Sequence, residues 1–201
     1  MIKLHDRNAT QEVEHHLKIP VREYENDTDQ KYRIAAAREN AGAVLSYGTV
    51  RVVDLGCGTG DVGGYLSNKG APIHVIGFEV NPDVAARARE RWPLMEVRVE
   101  DLHTVEPIPC QLLIMTEILE HYDNPIDLVG KWMPKAEYAV YSSPENGDIE
   151  QDYSANEHMW SLAEEDFIKF AKAGGHDIIS SKIVPCGIYS CRMMVTKNRI
   201  I

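Results

Sequence analysis

Glycines 56, 58 and 60 stand in Val52-Val-Asp-Leu-Gly-Cys-Gly-Thr-Gly-Asp-Val-Gly-Gly64, directly after an apolar, β-branched run. A strand-to-helix turn of this kind needs permissive backbone angles and lets a ligand lie against bare main chain. A dinucleotide fingerprint, Gly-x-Gly-x-x-Gly, would put glycine where Asp61 stands, and a carboxylate at that helix start would compete with a pyrophosphate for the same amides. A phosphate-cradling loop ends in Lys and Ser or Thr; Gly58 and Gly63 have the right separation, but Gly64 and Tyr65 follow. The loop therefore suits a nucleoside without phosphates. A second group with chemical potential is Glu117-Ile-Leu-Glu-His121. Turned as a helix, Glu117, Glu120 and His121 share one face, where they could move a proton or hold a divalent cation. The histidine is the natural proton acceptor near neutrality, with an unperturbed pKa of about 6.5.

The elements that must hold these groups alternate between short apolar runs and helical patterns, the signature of βαβ units and a mostly parallel sheet. The pattern predicts strands over 51–55, 73–79, 95–100, 111–116, 136–142, 178–184 and 189–196. Asn81-Pro82 and Asn124-Pro125 each place an N-cap residue before a proline suited to the first helical position. Ser161-Leu-Ala-Glu164 has the form of a capping box, with Phe167, Ile168 and Ala171 following at helical spacing and Gly174-Gly175 as a stop. Only Pro185 to Ile188 separate the last two strands, which should pair antiparallel. Tyr32 to Leu45 is rich in good helix formers. Two parts are expected: an N-terminal helical, lid-like segment over 1–48 and the main domain over 49–201.

Val53-Asp-Leu-Gly-Cys-Gly-Thr-Gly60 resembles the first motif of the class I S-adenosylmethionine-dependent methyltransferases, and the resemblance extends over most of the chain. It implies an α/β, Rossmann-like three-layer αβα sandwich whose seven-stranded, mostly parallel sheet ends in an antiparallel hairpin. It also implies S-adenosyl-L-methionine as cofactor, S-adenosyl-L-homocysteine as product, and methyl transfer to an O or N atom of a small molecule. Carried onto this sequence, it assigns the cofactor to Asp54, Gly56, Cys57, Gly58, Gly60, Glu79, Val80, Asp101, Leu102, Thr116 and Glu117. Among these Asp54 would orient the loop near the methionyl ammonium and Glu79 would hold both ribose hydroxyls. Val80 would pack on adenine, Asp101 would read its amino group, and Leu102 would supply a backbone amide. Because a sulfonium already carries an activated methyl group, the protein mainly aligns the acceptor and excludes water. Candidates for a base lie at the ends of the fourth and fifth strands: His121 first, with Glu117 and His158, then Glu120, Tyr122, Ser143 and Glu145. Tyr24, Tyr32 and Arg33 could reach the donor's methionine portion or the acceptor.

Glu117, Glu120 and His121 together with His158 also resemble the metal site of the Hen-type small-RNA 3′-terminal 2′-O-methyltransferases. The same Glu-x-x-Glu-His with Asn-Pro occurs in metal-free small-molecule enzymes, and the loop from Ser142 to His158 is short for the Hen-type pattern. The reading adopted here therefore assigns no metal. A non-catalytic module that keeps the cofactor site is the third reading. The balance of 21 Lys+Arg against 31 Asp+Glu gives a net charge of −10 with no basic run. Such a field repels polyanions, so nucleic acid is not expected as a partner. No apolar run approaches the roughly 20 residues that span a bilayer, and the first residues lack a secretory apolar core. The four cysteines have neither metal-pair spacing nor scaffold density, which suggests reduced thiols in the cytoplasm, with Cys57 buried rather than reactive. Trp132 and Trp160 read as core or pocket wall.

Overall fold

The computed structural model describes residues 1–24, 27–28, 30–45, 50–69, 72–145, 158–186 and 189–200. Its helices are α1 (Ala9–His16), α2 (Lys31–Ala43), α3 (Gly63–Ser67), α4 (Pro82–Arg91), α5 (Pro125–Trp132) and α6 (Glu164–Ala173). The main strands are β2 (Val50–Leu55), β3 (Ile73–Glu79), β4 (Glu96–Val99), β5 (Cys110–Thr116), β6 (Ala136–Pro144), β8 (His176–Cys186) and β9 (Tyr189–Asn198). They form one sheet in the order β4-β3-β2-β5-β6-β9-β8. β2 to β6 run parallel, and β9 pairs antiparallel with both β6 and β8. β1 (Ile2–Lys3) and β7 (Trp160–Ser161) make a separate antiparallel pair.

Strand periodicity sorts the core into two layers. Val52, Leu112 and Ile114 face Ile34, Ala37 and Ala41 of α2 and Ala85 and Ala88 of α4. Their sequence neighbours Val53, Leu113 and Met115 face Leu128, Val129 and Trp132 of α5 and Phe167 and Phe170 of α6. Helices thus cover both faces of the sheet, and the expected three-layer α/β sandwich with its C-terminal hairpin is what the chain forms. Among the described residues no helix is long and apolar enough to cross a membrane.

Two helix starts agree with their prediction. Asn81 accepts from the amides of Asp83 (3.0 Å) and Val84 (3.4 Å), and Asn124 from that of Asp127 (3.4 Å). Ser161 does not cap a helix. It lies opposite Ile2 in the β1–β7 pair, so α6 begins only at Glu164, where Asp166 accepts from the Ala163 amide at 3.1 Å. Strand pairing with a segment distant in sequence outcompeted the local box. β8 is longer than expected and carries an irregularity between Ile178 and Ser180. Helix α1 was not anticipated, although its signal was present: Asn8 accepts from the Gln11 amide and Gln11 from the Asn8 amide, both at 3.0 Å. The expected boundary at 48/49 and hairpin residues 187–188 lie outside the described residues.

Candidate cofactor and acceptor site

From β2 the chain winds outward to β3 and β4, whereas β5 lies on the other side of β2, which leaves a crevice at the carboxyl ends of β2 and β5. The glycine loop enters there. Gly56, Gly58 and Gly60 have φ of 63°, 54° and 80°, a region that residues with a Cβ rarely adopt. The buried Asp54 carboxylate fixes the loop from below by accepting from the Gly63 amide at 3.0 Å. Glu79, at the end of β3, accepts from the Gly58 amide (3.1 Å) and the Asn81 amide (2.8 Å). Each of its oxygens keeps acceptor capacity toward the cavity. Burial raises the Glu79 carboxyl above the usual carboxylate range against these amides, which oppose the rise.

Desolvation, reinforced by Asp61 and Glu79, pushes the Asp54 carboxyl up to about 7. Unfolded, it would lose its proton near pH 4. Between those values the unfolded chain binds fewer protons than the folded one, so the unliganded protein loses stability as pH rises from about 4 to 7, by at most about 4 kcal/mol from this group. Asp54→Asn keeps an acceptor for Gly63 and removes the titration. Thermal melting at pH 5 and pH 7.5 should therefore show a smaller downward shift in the variant than in the wild type; equal shifts would assign the effect to other groups.

A cavity of about 350 Å³ extends from this loop across the sheet. The sequence-assigned Asp54, Gly56, Cys57, Gly58, Glu79, Val80, Asp101, Leu102, Thr116 and Glu117 all border it. Gly60 does not; it packs beneath the loop against Trp92. The thiol of Cys57 is buried and its pKa raised by desolvation, so it is a small packing residue. Asp101 is occupied in a way the sequence did not disclose. Its Oδ1 accepts from the His103 amide at 2.9 Å and meets the His103 ring at 2.6 Å, while the other ring nitrogen lies 3.0 Å from Asp123. Tyr122 stacks on that ring at 4.3 Å. His103 is thus a cavity residue that sequence reasoning missed, because only the fold brings Asp123 to it.

The N-terminal segment lies across the loop. The Thr59 hydroxyl donates to the Arg22 carbonyl (3.0 Å) and the Tyr24 amide to Asp61 (3.1 Å). The Asn81 side chain donates to the carbonyls of His16 (3.1 Å) and Ile19 (3.3 Å). Asp61 is also ion-paired with Arg91 at 3.0 Å. The carboxylate that argued against a pyrophosphate therefore anchors the segment above the loop. Tyr24 and Arg33 border the cavity, whereas Tyr32 is exposed and lies beneath Lys31.

At the end of the cavity beyond β5, Glu117 has φ 55°, a strained value for a residue with a side chain. The turn aims its carboxylate at the Ser142 hydroxyl (2.7 Å) and within 3.9 Å of the buried Arg33. Glu120 points elsewhere, 3.9 Å from His121, with the Ser143 hydroxyl as its polar neighbour. Burial, with the Glu117 charge added, pushes its carboxyl up to about 8. His121 and His158 meet edge to face with ring centroids 4.9 Å apart, and His16 of α1 meets His121 at 5.2 Å. His16 and Glu12 are additional cavity residues that the sequence did not single out, although their i, i+4 spacing was visible. Ser143 and Glu145 do not border the cavity: Ser143 is buried in β6, and Glu145 pairs with Arg192 at 2.7 Å. Trp132 is core, and the Trp160 indole donates to the Tyr122 carbonyl at 2.8 Å.

The fold is similar to that of solved methyltransferases. Residues 52–130 match the family model described as a methyltransferase domain. A curated relative, the trans-aconitate 2-methyltransferase of Mycobacterium ulcerans, is 30% identical over 100 residues, which are 48% of this chain and 37% of that protein. The match thus spans little more than a third of the relative's length. Among solved structures, magnesium protoporphyrin IX methyltransferase from Synechocystis PCC 6803 with bound SAH superposes with a TM-score of 0.72 at 13% identity, covering 94% of this chain and 93% of that one. The N-methyltransferase NodS from Bradyrhizobium japonicum WM9, also with SAH, gives 0.72 at 12% identity, covering 96% and 100%. At such identities the likeness is one of fold.

Proposed function

We propose that this chain binds S-adenosylmethionine at the carboxyl ends of β2, β3 and β5 and transfers its methyl group to an O or N atom of a small-molecule acceptor. The observation that carries this reading is the convergence of the left-handed glycine loop, Glu79 and Asp101 on one cavity, in the order along the chain that the methyltransferase resemblance implies. On it, Glu79 holds the ribose hydroxyls, Asp101 with the Leu102 amide reads adenine, Val80 packs on the base, and Asp54 faces the methionyl ammonium. Arg33 takes the methionyl carboxylate, and residues 1–48 act as the lid whose described part lies over the loop. His121 is the residue best disposed to take a proton if the acceptor must lose one, with Glu117 and His158 beside it. The four cysteines are free and buried, which suits a reducing, cytoplasmic setting.

The test is transfer of labelled methyl from S-adenosylmethionine into a metabolite extract and, separately, into RNA. Label in small metabolites is expected; label confined to RNA would overturn the small-molecule reading, and tight cofactor binding with no transfer would favour the non-catalytic reading.

A further inference from the structure

We propose that Cys186 and Cys191 form a redox modification site: a hydroperoxide oxidises the pair to a disulfide, and the new bond releases the tie between β8 and α2 beside the cavity. Cys191 lies opposite Val184 in the β8–β9 register, and Cys186, two residues further along β8, shares the face of Val184. Both side chains are buried, and their sulfurs lie within 4.8 Å of each other and of a Glu117 carboxylate oxygen. A disulfide bond is about 2.05 Å long. Side-chain rotation with a small shift of the strand ends brings the two sulfurs together. Cys186 also borders the cavity, which gives a small oxidant its route to the sulfur.

The two thiols have different parts. The hydrogen bond from Cys191 lowers the Cys186 thiol below its ordinary pKa, against burial and with help from Arg33; the same bond, with burial, raises that of Cys191. Cys186 is therefore the attacking thiolate. It attacks one oxygen of the hydroperoxide, the O–O bond breaks, the other oxygen leaves as an alcohol or water after taking up a proton, and Cys186 becomes a sulfenic acid. The Cys191 sulfur then attacks the sulfenic sulfur, and the departing hydroxide takes the Cys191 proton and leaves as water. Glu117, with Oε2 at 3.6 Å from the Cys191 sulfur, is placed to pass that proton on. Two thiols lose two electrons and two protons, and the peroxide takes up both.

In the reduced protein the Cys186 thiol donates to the side-chain oxygen of Gln30 at 3.1 Å, and that oxygen also accepts from Arg33 Nε at 2.9 Å. Gln30 caps the start of α2, so the thiol ties the end of β8 to the helix that carries Arg33. A disulfide sulfur has no proton to donate and is drawn toward Cys191, so this tie is lost, and Glu117 loses its thiol donor with it. A bridge between diagonal neighbours is strained, and strained disulfides are the readily reduced ones, which makes the modification reversible. The consequence for the cofactor, and only that, rests on the methyltransferase reading: a loosened Arg33 holds the methionyl carboxylate less well.

The reduced chain is treated with hydrogen peroxide, unfolded, alkylated, cut with trypsin and mapped by mass. Cleavage after Lys182 and Arg192 releases one peptide, Ile183–Arg192, that contains both cysteines. After peroxide this peptide should lack two hydrogens and carry no alkyl group, dithiothreitol should restore two alkylatable thiols, and Cys57 and Cys110 should alkylate fully. In Cys191→Ala, Cys186 should take a dimedone tag, the mark of a sulfenic acid. Two alkyl groups on the wild-type peptide after peroxide overturn the proposal whatever the variants do, and sulfonic acids in place of a disulfide do so equally. Calorimetry with S-adenosylhomocysteine should show affinity at least about tenfold lower in the oxidised protein and recovered with dithiothreitol. In Cys186→Ser the treated and untreated samples should bind alike. A disulfide that leaves the wild-type affinity unchanged overturns the coupling to α2. Absence of binding by the reduced wild type refutes the methyltransferase reading instead, while the peptide map still decides the disulfide.

Discussion

Glu79→Ala should lose S-adenosylhomocysteine affinity by at least about 100-fold, which corresponds to about 3 kcal/mol from two charge-assisted hydrogen bonds to the ribose. The substitution also deletes the acceptor for the Gly58 and Asn81 amides, at 3.1 and 2.8 Å, so the loop loses its tie to the end of β3. Both losses act on the same site, one on the ligand and one on the shape of its cradle. Melting of the unliganded variant separates them: a fold that melts cooperatively while affinity collapses assigns the effect to the site. Affinity within about threefold of the wild type, about 0.7 kcal/mol, refutes the ribose placement.

Gly64→Ala should cost about 3 kcal/mol of stability and lower the melting temperature by about 6–12 °C in a chain of this length. An alanine Cβ there would lie 2.2 Å from Cγ of Trp92 and 2.3 Å from its Cδ1. The indole cannot swing aside cheaply, because its N–H donates to the Thr59 carbonyl at 3.1 Å and its cation partner Arg91 is tied to Asp61. Any shift of Trp92 therefore passes to the loop that borders the cofactor cavity, and cofactor affinity should fall as well. Gly130→Ala is the control. Gly130 lies inside α5 with nothing within 4 Å of a built Cβ, so alanine should be neutral or stabilising by up to about 1 kcal/mol. A Gly64→Ala protein that melts within 2 °C or so of the wild type would mean that Trp92 is not pinned against this helix as the hydrogen bond implies.

Much of the architecture was legible because its signals are local. Alternation of apolar residues such as Val52 and Val53 assigns each side chain to a face of the sheet without knowledge of its neighbours. Asn81-Pro82 and Asn124-Pro125 carry their capping chemistry within four residues, and both helices begin there. The glycine loop is likewise a property of one short stretch of backbone. Where a local signal met a distant competitor, it failed. Ser161 reads as a cap, yet its backbone pairs with Ile2, from the other end of the chain.

The site divides along the same line. By itself the sequence determined the α/β order of elements, the loop with its three left-handed glycines, and the acids that border the cavity, because these depend on spacing along the chain. Only the tertiary structure decided which groups meet across it. It set His103 between Asp101 and Asp123, gave Asp61 to Arg91 and the N-terminal segment, and turned Glu117 away from Glu120. It also brought Glu12 and His16 to His121 and His158. The physical reason is that such meetings depend on how separate layers pack and on which side chain reaches a shared partner at 3 to 5 Å, a distance that no periodicity along one chain encodes.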